Sequence, residues 1–387
     1  MSPRPVIRVK PREGKRARAG APWLFSNEIE MSKELAPGSV VNVMGDDGQP
    51  FGTGFFNSKS LIAVRFIAPA LDVPVDQAFF AGKLTRALAL REALFDTPYY
   101  RLVHAEGDGL PGLTIDRFAD TFVVQITTAG MEAKKTVLLA ALCKLFPKAK
   151  IILRADTPAR ALEGLDSYVE AEGGGRITIE ENGVRYFADA AAGQKTGWYY
   201  DQRENRAFMA KIAKGKSVLD GYSYTGGFAL AAAKAGAKEV AGLESSAPAV
   251  ALAEEAATAN SLKANFLKAD VFEEMERFAT AGERFDVVIG DPPPFVKAKK
   301  DLETGAKAYR KLARLSALIT APGGFVFLAS CSHNIPLERL ANEAATGIAR
   351  AGRSARLIHT AGAGPDHPVH PMLPESAYLK ALVYALD

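Results

Sequence analysis

From residue 217 onward, short apolar runs alternate with alanine-rich stretches, and this rhythm constrains the chain more than any other feature. The runs 217–220, 239–244, 265–268, 285–290 and 325–329 read as buried strands with helices between them. That alternation implies a mostly parallel sheet with helices on both faces. Two further runs, 355–359 and 378–384, bring the expected strands to seven. In such a doubly wound α/β sheet, ligands bind where the C-terminal ends of the strands open a crevice.

Chemistry sits at those strand ends. Run 285–290 leads into Asp291-Pro292-Pro293, and run 325–329 into Ser330-Cys331-Ser332-His333. A thiol and a carboxylate facing one substrate suit an enzyme, whereas Cys331 by itself would read as a small apolar filler. Run 217–220 ends in Asp220-Gly221-Tyr222-Ser223-Tyr224-Thr225-Gly226-Gly227. A strand, a glycine-bearing turn and a helix bring backbone N–H groups close to a ligand. The spacing is not the G-x-G-x-x-G of a dinucleotide turn, while Glu244 ends the next strand where an acidic side chain can meet ribose hydroxyls. A ribose-bearing cofactor without a pyrophosphate fits, S-adenosylmethionine foremost. A glycine turn beside a solvent-facing glutamate is the plainer alternative.

The 387 residues, 48% of them hydrophobic, suffice for two or three cored domains. We read 1–72 as a small β domain with a hairpin at Asp46-Asp47-Gly48, 73–175 as an α+β domain, and 176–387 as the doubly wound domain, entered through a hairpin at Asn182-Gly183. Gly173-Gly174-Gly175 is the linker. With two cysteines there is no disulfide framework, so a reducing, cytoplasmic setting is expected; no apolar run reaches the length of a membrane span, and no export signal is visible. Cys143, among Val137, Leu138, Ala141, Leu142 and Leu145, is expected to pack in a helical core. The carboxylates of Glu106-Gly107-Asp108 read as turn-capping groups. The five histidines are scattered, so no metal site is expected, and His367-x-x-His370 reads as a rigid loop.

A net charge of +4 is modest, but it is unevenly spread. Arg4, Arg8, Lys10, Arg12, Lys15, Arg16 and Arg18 are opposed by Glu13 alone, and Lys297, Lys299, Lys300, Lys307, Arg310, Lys311 and Arg314 follow the tandem prolines. Both stretches suit a phosphate backbone, and a solvated, frayed terminus is the alternative for the first.

Gly20-Ala-Pro-Trp23-Leu-Phe25, Gly107-Asp108-Gly109-Leu110-Pro111-Gly112, Gly193-Gln194-Lys195-Thr196-Gly197, Asp201-Gln202-Arg203-Glu204-Asn205-Arg206 and Tyr224-Thr225-Gly226-Gly227-Phe228 occur in that order. Asp291-Pro292-Pro293-Pro294-Phe295, Ser330-Cys331-Ser332-His333, His367-Pro368 and Tyr378-Leu379-Lys380 complete the series. In this order, over nearly the whole chain, they make it resemble the bacterial 23S (large-subunit) ribosomal RNA cytosine-C5 methyltransferases, a PUA-domain-containing class I family. The resemblance implies a PUA-like β-barrel at 1–72 that binds RNA, and a Rossmann-like, seven-stranded methyltransferase domain at 176–387. It implies S-adenosylmethionine as cofactor, with Asp220, Tyr224, Thr225, Gly226 and Gly227 at its methionine part, Glu244 at the ribose, Asp270 near adenine, and Gln194, Lys195, Thr196 and Asp291 closing the site. Cys331 becomes the nucleophile at cytosine C6 and Asp291 the contact to N3. Pro292, Pro293, Phe295 and Lys297 become substrate contacts, with Phe295 either stacking on the base or packing on the next helix. Two positions depart from the family's commoner pattern: Glu244 stands in place of aspartate and Tyr222 in place of phenylalanine. Ribosomal RNA of the large subunit is the implied partner, no membrane is involved, and a homodimer is compatible with the resemblance.

Three other readings compete. A methyltransferase of the same fold acting on a guanine ring nitrogen needs no nucleophilic cysteine. A nicotinamide dehydrogenase would share the sheet but predicts neither the tandem prolines nor this turn. A non-catalytic RNA-binding assembly factor would keep the basic stretches alone.

Overall fold

A computed structural model describes residues 3–193 and 196–387. The chain forms two compact units, the first of Met1–Ile177, Asp189–Trp198 and Pro365–Pro374, the second of Thr178–Ala188, Tyr199–Gly364 and Glu375–Asp387.

The first unit holds two sheets. One takes Val6–Arg8, Ser39–Met44, Pro50–Phe56, Val64–Ala68 and Trp23–Leu24 in that spatial order, and buries Ile7, Leu24, Val41, Val43 and Phe56. The other orders Tyr168–Glu170, Lys150–Ala155, Thr121–Ile126, Leu113–Phe118 and Tyr99–His104, against the helices Gln77–Leu94 and Lys135–Leu145. Asp76 starts the longer helix by accepting the Phe79 N–H at 3.0 Å, the cap its position at the end of a turn suggests.

Cys143 corrects an expectation, because it is exposed. The helix Lys135–Leu145 buries Leu138, Ala141 and Leu142, which are spaced three and four apart. Position 143 lies about 140° around the axis from Leu138, outside that stripe.

The Glu106 to Asp108 turn serves the scaffold. Asp108 takes Arg91 in a bidentate pair at 2.5 and 2.8 Å and also accepts the His104 N–H at 2.6 Å. Glu106 accepts from Trp23 at 2.8 Å and Arg65 at 3.2 Å. The segment Pro365–Pro374 belongs to this unit, where the Asp366 carbonyl accepts a further Arg91 N–H at 2.9 Å. Burial, then the Arg101 guanidinium and His367, push the His104 imidazole down to about 2.

The second unit is built on one seven-stranded sheet. Its elements are β1 (Ser217–Gly221), α1 (Gly227–Lys234), β2 (Glu239–Glu244), α2 (Ala247–Ala259), β3 (Asn265–Lys268), α3 (Val271–Ala281), β4 (Phe285–Gly290), α4 (Leu302–Leu318), β5 (Thr320–Ser330), α5 (Leu337–Arg350), β6 (Ala355–Ala361) and β7 (Lys380–Leu386). The spatial order is β3-β2-β1-β4-β5-β7-β6, parallel from β3 to β5, with β7 antiparallel to both β5 and β6. The order reverses between β1 and β4, which opens the crevice at their C-terminal ends. The hairpin Arg176–Glu181 and Val184–Asp189 turns at Asn182 (φ 51°) and Gly183 (φ 74°), the two positive angles that an Asn-Gly turn supplies. Among the described residues, no helix is long and apolar enough to cross a membrane.

Candidate active site

The turn after β1 is strained and heavily braced. Tyr222 and Tyr224 both adopt left-handed backbone, at φ 65° and 50°, which costs roughly 1–2 kcal/mol for each non-glycine residue. The Ser223 N–H donates to the Leu243 carbonyl at 3.0 Å, and the Tyr224 N–H to Glu244 Oε2 at 3.0 Å, so the end of β2 holds the turn. Gly226 follows at φ 85°, with the Phe266 ring where a side chain would begin. Asp220 Oδ2 accepts the Ala229 N–H at 2.9 Å from the first turn of α1.

Three buried polar atoms in this turn have no hydrogen-bond partner among the described residues: Asp220 Oδ1, Ser223 Oγ and Thr225 Oγ1. Buried polar groups are nearly always paired, so such a cluster marks a place where a polar ligand completes the bonding. Burial raises the Asp220 carboxyl to about 8, against the pull of the Ala229 N–H and with a further push from Asp291. A cationic amino group would draw it back to the carboxylate.

The second half of the site lies at the ends of β4 and β5, which pair in register as Gly290 with Leu328. Asp291 directly follows Gly290, and Cys331 directly follows Ser330, the last residue of β5, three positions beyond Leu328. Their loops are stitched together by Tyr309 of α4, whose hydroxyl accepts from Ser330 at 2.7 Å and lies 3.2 Å from Ser332 Oγ. Ser332 Oγ accepts the Val296 N–H at 3.3 Å, and Asn334 donates to the Lys297 carbonyl at 3.1 Å. Tyr199 lies against the same group: its ring meets Tyr224 edge-on at 5.6 Å, and burial, then Tyr224, Asp201, Asp291 and Cys331, push its phenol up. The phenol therefore stays neutral beside the acid and the thiol. The turn after β1 and the residues that follow β4 and β5 thus lie at the C-terminal ends of neighbouring strands.

Comparisons with known proteins agree with this geometry. Residues 7–69 match the model of a PUA-like domain, and residues 157–385 that of an S-adenosylmethionine-dependent methyltransferase. Ribosomal RNA large subunit methyltransferase I of Shewanella amazonensis is 36% identical over 97% of this chain and 98% of its own; that of Aliivibrio fischeri strain MJ11 is 38% identical over 93% of each. The chain belongs to the ribosomal RNA large subunit methyltransferase I family. Its cofactor is S-adenosylmethionine. Two solved structures share the fold at 22% identity, both covering 98% of this chain and 100% of their own: a proposed methyltransferase from Streptococcus mutans (TM-score 0.82) and a proposed methyltransferase complexed with S-adenosylhomocysteine (TM-score 0.84).

In this member of the methyltransferase I family, the structure brings Asp220, Tyr224, Thr225, Gly226, Gly227 and Glu244 together around one turn, with Asp291 and Cys331 beside it. Glu244 is buried and accepts backbone N–H groups at both oxygens, from Tyr224 and from Ser246 at 2.8 Å. Asp270 is exposed and caps α3 through the Phe272 and Glu273 N–H groups. Pro292 is buried, while Pro293 and Lys297 are exposed. The Phe295 ring packs 4.8 Å from Tyr309 and 6.0 Å from Phe272. Gln194 and Lys195 lie outside the described residues; Thr196 belongs to the first unit, buried, its hydroxyl donating to the Trp198 carbonyl at 3.4 Å. Among the described residues, no group of three His, Cys, Asp or Glu could hold a metal ion.

The basic stretch after the prolines is less uniform than its sequence suggests. Arg310 pairs with Glu343 at 2.6 Å and Lys311 with Glu276 at 2.9 Å, while exposed Lys297, Lys299, Lys300 and Lys307 have no carboxylate partner among the described residues. Sequence reasoning also missed Ser223, Tyr199, Tyr309 and Lys380. Of these, Ser223 lay in the glycine-bearing turn and Lys380 in a motif segment, neither with an assigned role.

Proposed function

We propose that the protein transfers a methyl group from S-adenosylmethionine to C5 of a cytosine in large-subunit ribosomal RNA, through a thiolate adduct at C6. The observation that carries this reading is that Cys331 and Asp291 follow the ends of paired strands, beside a turn in which three buried polar atoms lack partners among the described residues. The names of the relatives support the RNA class. We assign the methionine part of the cofactor to Asp220, Ser223 and Thr225 with the Gly226 and Gly227 turn, the ribose to Glu244 and the adenine edge to Asp270.

Cytosine C5 is too electron-poor to take a methyl group unaided. The Cys331 thiolate adds to C6, and a proton shared between Asp291 and N3 offsets the charge that the addition places on the ring. C5, now enamine-like, takes the methyl group supplied by S-adenosylmethionine as the methyl–sulfonium bond breaks, that electron pair leaving with S-adenosylhomocysteine. The C5 proton is then lost to solvent, the C6–S bond breaks, and the thiolate departs with the electron pair it brought. Pro292 and Pro293 leave carbonyls free to accept from the exocyclic amine of a flipped base, Phe295 presents an edge to it, and Lys297 meets the adjoining phosphate. Residues 1–72 position the RNA, 73–175 form the middle domain, and 176–387 carry out the chemistry.

The test is radiolabelled methyl transfer to large-subunit RNA lacking its modifications, followed by nucleoside analysis. We expect 5-methylcytosine, and a fall of about 10³-fold or more for Cys331→Ala with S-adenosylhomocysteine binding intact. Full transfer by Cys331→Ala, with label in a guanine, would establish the ring-nitrogen reading instead. If about four exposed lysines release counterions, log affinity for RNA should fall against log salt with a slope of roughly −3 to −4.

A further inference from the structure

A free cysteine has a pKa near 8.5 and is only a few per cent thiolate at neutral pH. A nucleophilic Cys331 therefore needs a positive charge nearby, and the groups around it must be weighed together. Asp291, where ionised, opposes a second negative charge. Tyr199 and Tyr309 have phenols pushed up, in both cases chiefly by burial, so they stay neutral. His333 is exposed, its ring 5.3 Å from that of Tyr378, whose hydroxyl donates to Asp201 at 2.6 Å.

Lys380 differs from all of these. It opens β7 opposite Ser330 in the antiparallel pairing with β5, one residue before the thiol. Its ammonium donates to the Ser332 carbonyl at 2.8 Å, so it is fastened to the backbone immediately after Cys331. It is half-buried, and among the described residues it has no carboxylate partner. A partly buried lysine without a counter-ion is costly unless a negative charge forms beside it. Burial pulls its pKa down, and the Cys331 sulfur pushes it back up.

We infer that Lys380 is the fixed cation that holds Cys331 as a thiolate. The lysine takes no part in bond making; it acts through the thiol, as a positioning charge whose natural counter-ion is the attacking sulfur. This rests on the reading of Cys331 as nucleophile, yet it can be tested without RNA. Cys143→Ser leaves Cys331 as the single thiol, because the chain has two cysteines. The rate of Cys331 alkylation by iodoacetamide, followed against pH by mass spectrometry, then gives its ionisation midpoint. We expect that midpoint below 8.5 with Lys380 present, higher by about one unit in Lys380→Met, and largely restored in Lys380→Arg. Stabilisation by S-adenosylhomocysteine reports whether each variant is folded. An unshifted midpoint in folded Lys380→Met overturns the inference, and so does a midpoint at or above 8.5 in the Lys380 protein, a measurement that needs no variant at 380. A lowered midpoint together with full methyl transfer by Cys331→Ala would instead overturn the proposed reaction and leave the charge pairing standing.

Discussion

The Glu106 to Asp108 turn and the Asp220 to Gly227 turn look alike as text, each an acidic residue among glycines. In the folded chain they are opposites. Around Asp108, all three nitrogens of the Arg91 guanidinium and both carboxylate oxygens have partners. Around Asp220, three buried polar atoms have none among the described residues. A saturated network holds a scaffold, whereas an unsaturated one is a binding site awaiting its ligand's donors and acceptors. Around Asp108 and Asp220 themselves, the pairing of buried polar atoms, not motif content, distinguishes the two turns.

Arg91 anchors the saturated network. Its side chain and that of Asp108 are 0% and 6% exposed. Arg91→Met strands a buried carboxylate and should lower the stability of the first unit by about 3–5 kcal/mol. Both tryptophans, Trp23 and Trp198, lie in that unit, so their fluorescence in urea reads the loss. A change under about 1 kcal/mol would show that the network is not structural.

Asp220→Asn should do the reverse. It should weaken S-adenosylhomocysteine binding by about 1.5–3 kcal/mol, tenfold or more, because a charge-assisted hydrogen bond is lost. Thermal stability of the free protein should hold or rise, since the variant removes a carboxyl whose charged form is disfavoured by burial. Calorimetric titration and thermal unfolding separate the two effects, and a destabilised free protein with unchanged affinity would reverse the assignment.

The same carboxyl gives a pH signature. Its folded-state pKa of about 8 lies above the usual 3.8, so its contribution to stability is complete below about 3.8 and is lost as pH rises through about 8. Stability of the free protein should therefore decline from pH 6 to 7.5, while affinity for S-adenosylhomocysteine climbs by up to about tenfold per unit as the ligand's ammonium selects the carboxylate. Proton release on binding, read by calorimetry in two buffers, checks the sign. The smallest effect belongs to Cys143→Ser: exposed on its helix, it should change stability by less than about 0.5 kcal/mol.

Much of the fold was legible beforehand. Period and punctuation located the strands of the second unit, and Asn182-Gly183 announced its hairpin. Cys143 is exposed although it neighbours Leu142 in sequence, because one position along a helix turns a side chain by about 100° away from the buried stripe. The basic run from Lys297 to Arg314 likewise departs from its reading as text, since Glu276 and Glu343 neutralise part of it from other helices.

The sequence alone determined the order of strands and helices, the glycine turn after the first strand, and the residue types at the strand ends, because these follow from local periodicity and steric rules. The tertiary structure alone decided which polar atoms are satisfied. Arg91 meets Asp366 across 275 positions, and Lys380 reaches Ser332 across 48. Hydrogen bonding and charge act over a few ångströms in space, whatever the distance along the chain. That is why Cys331 could be picked out as a candidate nucleophile from the text, while the cation we assign to it emerged only when β7 was laid beside β5.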